Sequence, residues 1–102
     1  MRSFVGLNGS VSVGESGISL TRESKLDGVF HELGTAVIPY EQIVKVVYAE
    51  GGLSNGYMAF LRKGDKRPHS VFSALKNDSA IIFRFTKNES AKEIVDLVKE
   101  RI

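Results

Sequence analysis

The chain has 102 residues, the size of one domain, with 42% hydrophobic side chains, 25% charged side chains and a formal charge of +2. That balance matches a folded globular protein and not a disordered one, and the charge is too small to indicate specific nucleic-acid binding. There is no cysteine, which excludes disulfides, thiolate catalysis and cysteine-ligated metal sites and fits a cytoplasmic location. No apolar run approaches the roughly 20 residues needed to span a bilayer. Met1 reads as a natural start, and Met1 to Gly6 has no hydrophobic stretch long enough for a signal peptide.

Turn signals divide the chain at short intervals. Ser10 to Val13 alternates polar and apolar, Glu15-Ser16-Gly17 turns, and Ile18 to Arg22 alternates again, with Ile18 and Leu20 on one face and Ser19 and Thr21 on the other. Period two marks half-buried strands, so these two runs read as a hairpin. Val29 to Leu33 reads as a third strand ended by Gly34, with 35–38 extended because Pro39 biases Ile38 away from helix. Pro39 to Gln42 reads as a short helical turn. Val44 to Ala49 is β-branched and reads as a strand. A glycine-rich loop follows, and Asn55-Gly56 is a hairpin signal leading into a strand at Tyr57 to Arg62. Lys63 to Lys66 turns the chain, His69 to Phe72 reads as a strand after Pro68, and Lys76-Asn77-Asp78 turns again. Ile81 to Phe85 is apolar almost throughout, which predicts a central strand.

The last segment changes period. Ala91, Ile94, Val95, Val98 and Ile102 share one face of an α-helix, while Lys92, Glu93, Asp96, Lys99, Glu100 and Arg101 form a solvated face. Ser90 and Glu93 read as a capping box, with Asn88 as an alternative cap. The whole is therefore one domain over 1–102, mainly β (α+β). It has about seven antiparallel strands in two sheets, within about 9–85, and one helix over about 89–102 that covers an open end of the sheets.

The residues carry no catalytic constellation. His31 and His69 lie far apart, and neither the His31-Glu32 nor the His69-Ser70 pair shares a strand face, so neither a metal site nor a serine–histidine pair is indicated. Ser54 has no motif around it, and Glu32, Glu41 and Glu50 are scattered. Gly51-Gly52 leads into a hairpin and not into a helix, which argues against a phosphate loop. No cofactor is expected. Two local features remain. Arg62, Lys63, Lys66, Arg67 and Lys76 place five positive charges against the single Asp65 between residues 62 and 76. They are candidate anion-binding residues, or charges that protect strand edges from aggregation. Leu53 stands in a glycine-rich loop where an apolar side chain has few neighbours of its own. With Asn55 and Tyr57 it is a candidate partner contact. Tyr40 and Tyr48 are further half-buried aromatic positions.

Taken together, several stretches resemble one family. These are Gly6-x-x-Gly9-x-Val11, then Gly17-Ile18-Ser19-Leu20-Thr21-Arg22, Ile38-Pro39-Tyr40-Glu41-Gln42-Ile43, and Gly52-Leu53-Ser54-Asn55-Gly56-Tyr57-Met58-Ala59-Phe60. Asn77-Asp78 ahead of Ile81-Ile82-Phe83 and a terminal helix complete the pattern. The chain resembles the short bacterial pleckstrin-homology-like domains, specifically the unknown-function family often followed by a short C-terminal oligomerisation helix pair. The most specific element is Leu53-Ser54-Asn55-Gly56-Tyr57. The resemblance implies a pleckstrin-homology-like barrel of two nearly orthogonal sheets capped by the helix. Eukaryotic relatives bind inositol phosphates through a basic first hairpin. Here Gly14-Glu15-Ser16-Gly17 is acidic, so that activity is not carried over. The helical tail is missing, so the chain is either a piece of a longer protein or a member that stands alone. The expected function is a non-catalytic interaction module, binding a protein partner or itself as a homo-oligomer. An anionic ligand or membrane surface at the 62–76 hairpin is the alternative.

Overall fold

The computed structural model describes residues 2–26, 29–75, 77 and 79–102, by backbone alone at 24–26, 29–33, 72 and 75. The fold is mainly β, with two antiparallel sheets and a C-terminal helix. The first sheet takes β1 (Arg2–Val5), β2 (Gly9–Val13), β3 (Gly17–Leu26) and β4 (Val29–Pro39) in sequence order. A 3-10 turn at Tyr40–Gln42 leads to the second sheet, β5 (Ile43–Ala49), β6 (Gly56–Arg62) and β7 (Ala80–Phe83), again in order. Helix α1 (Val71–Leu75) lies between β6 and β7, and a 3-10 turn at Phe85–Lys87 precedes helix α2 (Asn88–Lys99). Among the described residues the two ladders do not join into a closed barrel.

Alternation sorts the side chains as expected. Phe4, Val11, Val13, Ile18, Leu20 and Ile38 point inward from the first sheet, and Met58, Phe60, Ile81 and Phe83 meet them from the second. Ala91, Ile94, Val95 and Val98 of α2 are all buried in this core. Burying each aliphatic side chain contributes about 1.5–3 kcal/mol, which is what holds a terminal helix in place. Ile102, read as part of the same stripe, lies past the helix end and is 49% exposed.

The number of strands is as read, but their membership differs. Arg2–Val5 forms a strand ahead of the expected start near residue 9, because Phe4 opposite Val11 inserts a buried ring into the core. Gly14-Glu15-Ser16-Gly17 is consequently the second hairpin turn, and the first is the uncharged Gly6-Leu7-Asn8. The strand expected at 69–72 is instead the start of α1. The Ser70 hydroxyl accepts from the Ser73 amide at 3.3 Å, and the Ser73 hydroxyl accepts from the amides of His69 and Ser70, so the two serines satisfy the helix start. Val71 and Ala74, one turn apart, then face the second sheet. Gly34 does not end β4. It pairs with Arg22 where the register shifts between Arg22 and Glu23, next to the extra residue on β4, with φ +131°, which only glycine adopts readily, and the strand runs on to Pro39.

The second sheet is covered on both sides. Val47, Tyr57, Ala59, Leu61, Ala80 and Ile82 pack under Ala74 and Val71 of α1, opposite the main core. This explains the apolar run of β7, which is nevertheless the last strand of its sheet and not a central one. Its open edge is closed by a side chain. Asn8 Oδ1 accepts from the Ile82 amide at 2.8 Å, Asn8 Nδ2 donates to the Ala80 carbonyl at 3.2 Å, and the Leu7 amide donates to the Ile82 carbonyl. The turn of the first hairpin thus stands in for a fourth strand and ties the two sheets together.

Candidate functional site

Three connections meet at one end of the sandwich. They are the β1–β2 turn, the β5–β6 loop and the 84–87 segment between β7 and α2. The β5–β6 loop is held by Asn88, whose Nδ2 donates to the Gly51 carbonyl and whose Oδ1 accepts from the Gly51 amide, both at 2.8 Å. This is why the expected helix cap is absent. Asn88 opens α2 but its amide is committed to Gly51, while Ser90 and Glu93 lie exposed inside the helix with no side-chain cap bond. The Asn55-Gly56 pair also differs from a two-residue hairpin turn, since Gly56 already belongs to β6. Glycine is required there for close approach: a Cβ would lie 2.5 Å from the Ala49 carbonyl oxygen and 2.6 Å from the Gly51 nitrogen.

The clamped loop presents Leu53 fully to solvent. Ser54 and Asn55 beside it are exposed, and the Gly52 amide donates to the Ser54 carbonyl within the loop. Phe85, whose backbone lies against Gly51, is 62% exposed. Val5 is also 62% exposed and Leu7 46%, and both line a hollow of about 210 Å³ with Arg84 and Lys87. Lys87 Nζ donates to the Val5 carbonyl at 3.3 Å and lies over the Phe4 ring. Leu53 is therefore one of four exposed apolar side chains at this end. Val5 and Leu7 precede the first strand read from sequence, and Phe85 reads as the end of the last one, so none of the three stands out. The signal that could have found Phe85 is its place beyond the strand end, next to the charged run Arg84 and Lys87.

Tyr57, expected to join Leu53 and Asn55 at a contact surface, lines a hollow of about 410 Å³ with Ser54, Asn55 and His69. It is 9% exposed, packs in the core beneath α1, and donates its hydroxyl to the Pro68 carbonyl. The other tyrosines are equally committed. Tyr40 donates to the Gly14 carbonyl, and Tyr48 stacks on Phe83 and donates to the Asn88 carbonyl at 3.2 Å. Burial raises the Tyr48 pKa above the usual phenol value, and the nearby carboxylates of Glu50 and Asp96 raise it further.

Among the described residues, the basic 62–76 segment lines two separate hollows. Arg62 faces a cleft with Leu20, Gly34 and Ile38, and its backbone amide and Nε both bond Asp65 Oδ2, at 2.8 and 3.3 Å. Lys63 is exposed and lines none of these hollows. Lys66 and Arg67 do come together, in a hollow of about 280 Å³ with Pro68, His69, Ser73 and Asn77. Lys76 lies outside the described residues. Among the described residues no three histidine, aspartate or glutamate side chains converge as a metal site would require, and no helix is long and apolar enough to cross a membrane.

The outer face of the first sheet has a different character. Cross-strand rows run Ser3, Ser12, Ser19, Val37 and Val5, Ser10, Thr21, Thr35, with the Thr21 and Thr35 hydroxyls 3.0 Å apart. None of these positions carries a charge. Comparison with known protein families, curated proteins and solved structures finds no match to this chain.

Proposed function

We propose that this chain is a pleckstrin-homology-like, non-catalytic interaction module that contacts another protein through the end bearing Leu53. The fold part of the reading is supported by the division into four and three antiparallel strands in sequence order, and by a C-terminal helix whose apolar face lies on the core. The contact part rests on one observation: Leu53 is wholly exposed in a loop that Asn88 holds in place from both backbone groups of Gly51. A leucine left in water forgoes about 1.5–3 kcal/mol of burial, and Val5, Leu7 and Phe85 on the neighbouring connections are exposed as well. The test is a pull-down from the source cell comparing the intact domain with Leu53→Asp. The reading expects a partner captured by the first and lost by the second. Equal capture by both overturns the assignment of this end.

A second reading is favoured by the meeting of Lys66, Arg67 and His69 in one hollow, an arrangement that suits an anion. It expects binding to anionic vesicles that weakens steeply with salt and falls away in Lys66→Glu/Arg67→Glu.

A further inference from the structure

The two sites read from the sequence, a partner contact at Asn55 and Tyr57 and an anion site at Lys66 and Arg67, are neighbours in the fold. His69 lines both hollows, so they adjoin at this residue. The Tyr57 hydroxyl, in the one, donates to the carbonyl of Pro68, in the other, at 3.4 Å, which links the two linings a second time. Ser54 and Asn55 bring the Leu53 loop into the wall of the larger hollow. The charges differ on the two sides of His69. The smaller hollow, of about 280 Å³, has Lys66 and Arg67 and no carboxylate among the described residues that line it. The larger, of about 410 Å³, has Glu50 and no lysine or arginine. All three charged side chains are exposed, and among the described residues none of them is ion-paired. Asp65, the neighbour of Lys66 in sequence, is held by Arg62.

We propose that the two hollows form one groove for an extended segment of a partner protein, a segment that carries an acidic side chain and, a few residues away, a basic one. The inference rests on the interaction-module reading and deepens it by naming the chemistry of the partner. The acidic side chain enters beside Lys66 and Arg67, where two cations share one carboxylate. The basic side chain enters beside Glu50, where Ser54, Asn55 and Ser70 supply further hydrogen-bond acceptors. An extended chain turns every second side chain to the same face at intervals of about 6.6 Å, which is how strand-like peptides fill adjoining pockets. A lone anion fills only the smaller hollow. An anionic membrane sets its own charge against Glu50 as well, a repulsion that a segment of mixed charge avoids. Opposite charges in adjoining hollows also fix which way round the segment lies, because the reversed placement sets like against like.

The test is an amide NMR titration of the full chain, up to about 10 mM, with capped peptides in which one glutamate and one lysine are separated by one to three alanines. Peptides with two glutamates or two lysines at the same positions are the controls. The expected result is that a mixed peptide shifts amides on both sides of His69, at 66–70 and at 50–55, and binds more tightly than either control. Lys66→Glu/Arg67→Glu weakens the mixed peptide about tenfold and Glu50→Lys about threefold, the size of exposed charge pairs. Glu50→Lys at the same time binds the two-glutamate peptide more tightly than the wild type does. Circular dichroism and melting of each variant verify that it is folded. Mixed peptides that shift nothing, that shift only the 66–70 side, or whose affinity is unchanged in Glu50→Lys overturn the inference. Binding to vesicles of phosphatidylserine and phosphatidylcholine with no response to any mixed peptide also overturns it and leaves the basic hollow as a membrane site. A partner captured in a Leu53-dependent way by the wild type and equally by Glu50→Lys and Lys66→Glu/Arg67→Glu retains the interaction module and rejects the groove.

Discussion

Replacing Asn8 by alanine removes two hydrogen bonds at the open edge of β7. Asn8 Oδ1 accepts from the Ile82 amide and Nδ2 donates to the Ala80 carbonyl. Ile82 and Ala80 are 2% and 0% exposed, so water reaches the freed groups only if the sheet edge opens. A buried donor left without an acceptor costs about 1–3 kcal/mol, and the carbonyl adds a smaller penalty, for a total of about 2–4 kcal/mol. A domain near this size melts about 4–8 °C lower per kcal/mol lost, so the melting temperature should fall by at least about 8 °C. Thermal unfolding followed by circular dichroism gives the total, and amide hydrogen exchange gives the location. The Ile82 amide should lose protection locally. The Phe60 amide, which donates to the Ser79 carbonyl, should change only in step with global stability. Asn8→Asp keeps the acceptor for Ile82 but turns an oxygen toward the Ala80 carbonyl, so it should retain protection at Ile82 while still losing stability. A loss below about 0.5 kcal/mol, the size of an ordinary surface substitution, with Ile82 protection unchanged would refute the role of Asn8 as the tie between the sheets.

Val98, on the inner face of α2, is fully buried, so Val98→Asp should unfold the domain, and a cooperative melt near the wild-type temperature would contradict the helix as its cover. Gly56→Ala drives a Cβ into the backbone of Ala49 and Gly51 and should cost about 1–3 kcal/mol in urea unfolding, while Gly52→Ala, with no heavy atom within 4 Å of the new Cβ, should change stability by less than about 0.5 kcal/mol. Tyr48 is held in its neutral form by burial first and then by Glu50 and Asp96. Its folded pKa lies above the unfolded one, so its contribution is complete below about pH 10 and is lost as the pH rises through the folded value. Ultraviolet titration should show Tyr48 forming phenolate later than an ordinary tyrosine, and Glu50→Gln should bring it part of the way back.

The features legible in the sequence were those set by periodicity. Ile18 and Leu20 against Ser19 and Thr21 gave strand and face, and Ala91, Ile94, Val95 and Val98 gave the helix and its buried side. Features set by a single distant contact were not legible. Phe4 makes β1 a strand only because Val11 and Phe83 lie against it, the latter ring edge-on at 5.7 Å. Ser70 and Ser73 override the extended look of 69–72 because Val71 and Ala74 find an apolar sheet to cover, a surface that exists only once β5–β7 have formed. Asn88 reads as a helix cap and Asn8 stands in no motif, whereas here each side-chain amide pairs with backbone far along the chain. The site was legible in the same uneven way. Leu53 stood out because its own loop offers nothing to bury it. Tyr57 beside it belongs to the core because Gly56 has already entered β6, and alternation then turns the Tyr57 ring toward α1. Arg62 and Lys66 are close in sequence but separated by Asp65, which binds the first and leaves the second to a different hollow.

The claim that this end is a contact surface is tested most directly by placing a photo-activated cross-linking residue at position 53, and in parallel at position 12 in the serine row on the outer face of the first sheet, in the intact chain within its source cell. A defined cross-linked product from position 53 and none from position 12 is the expected result. A chain cross-linked from position 12 but silent at position 53 would contradict the account.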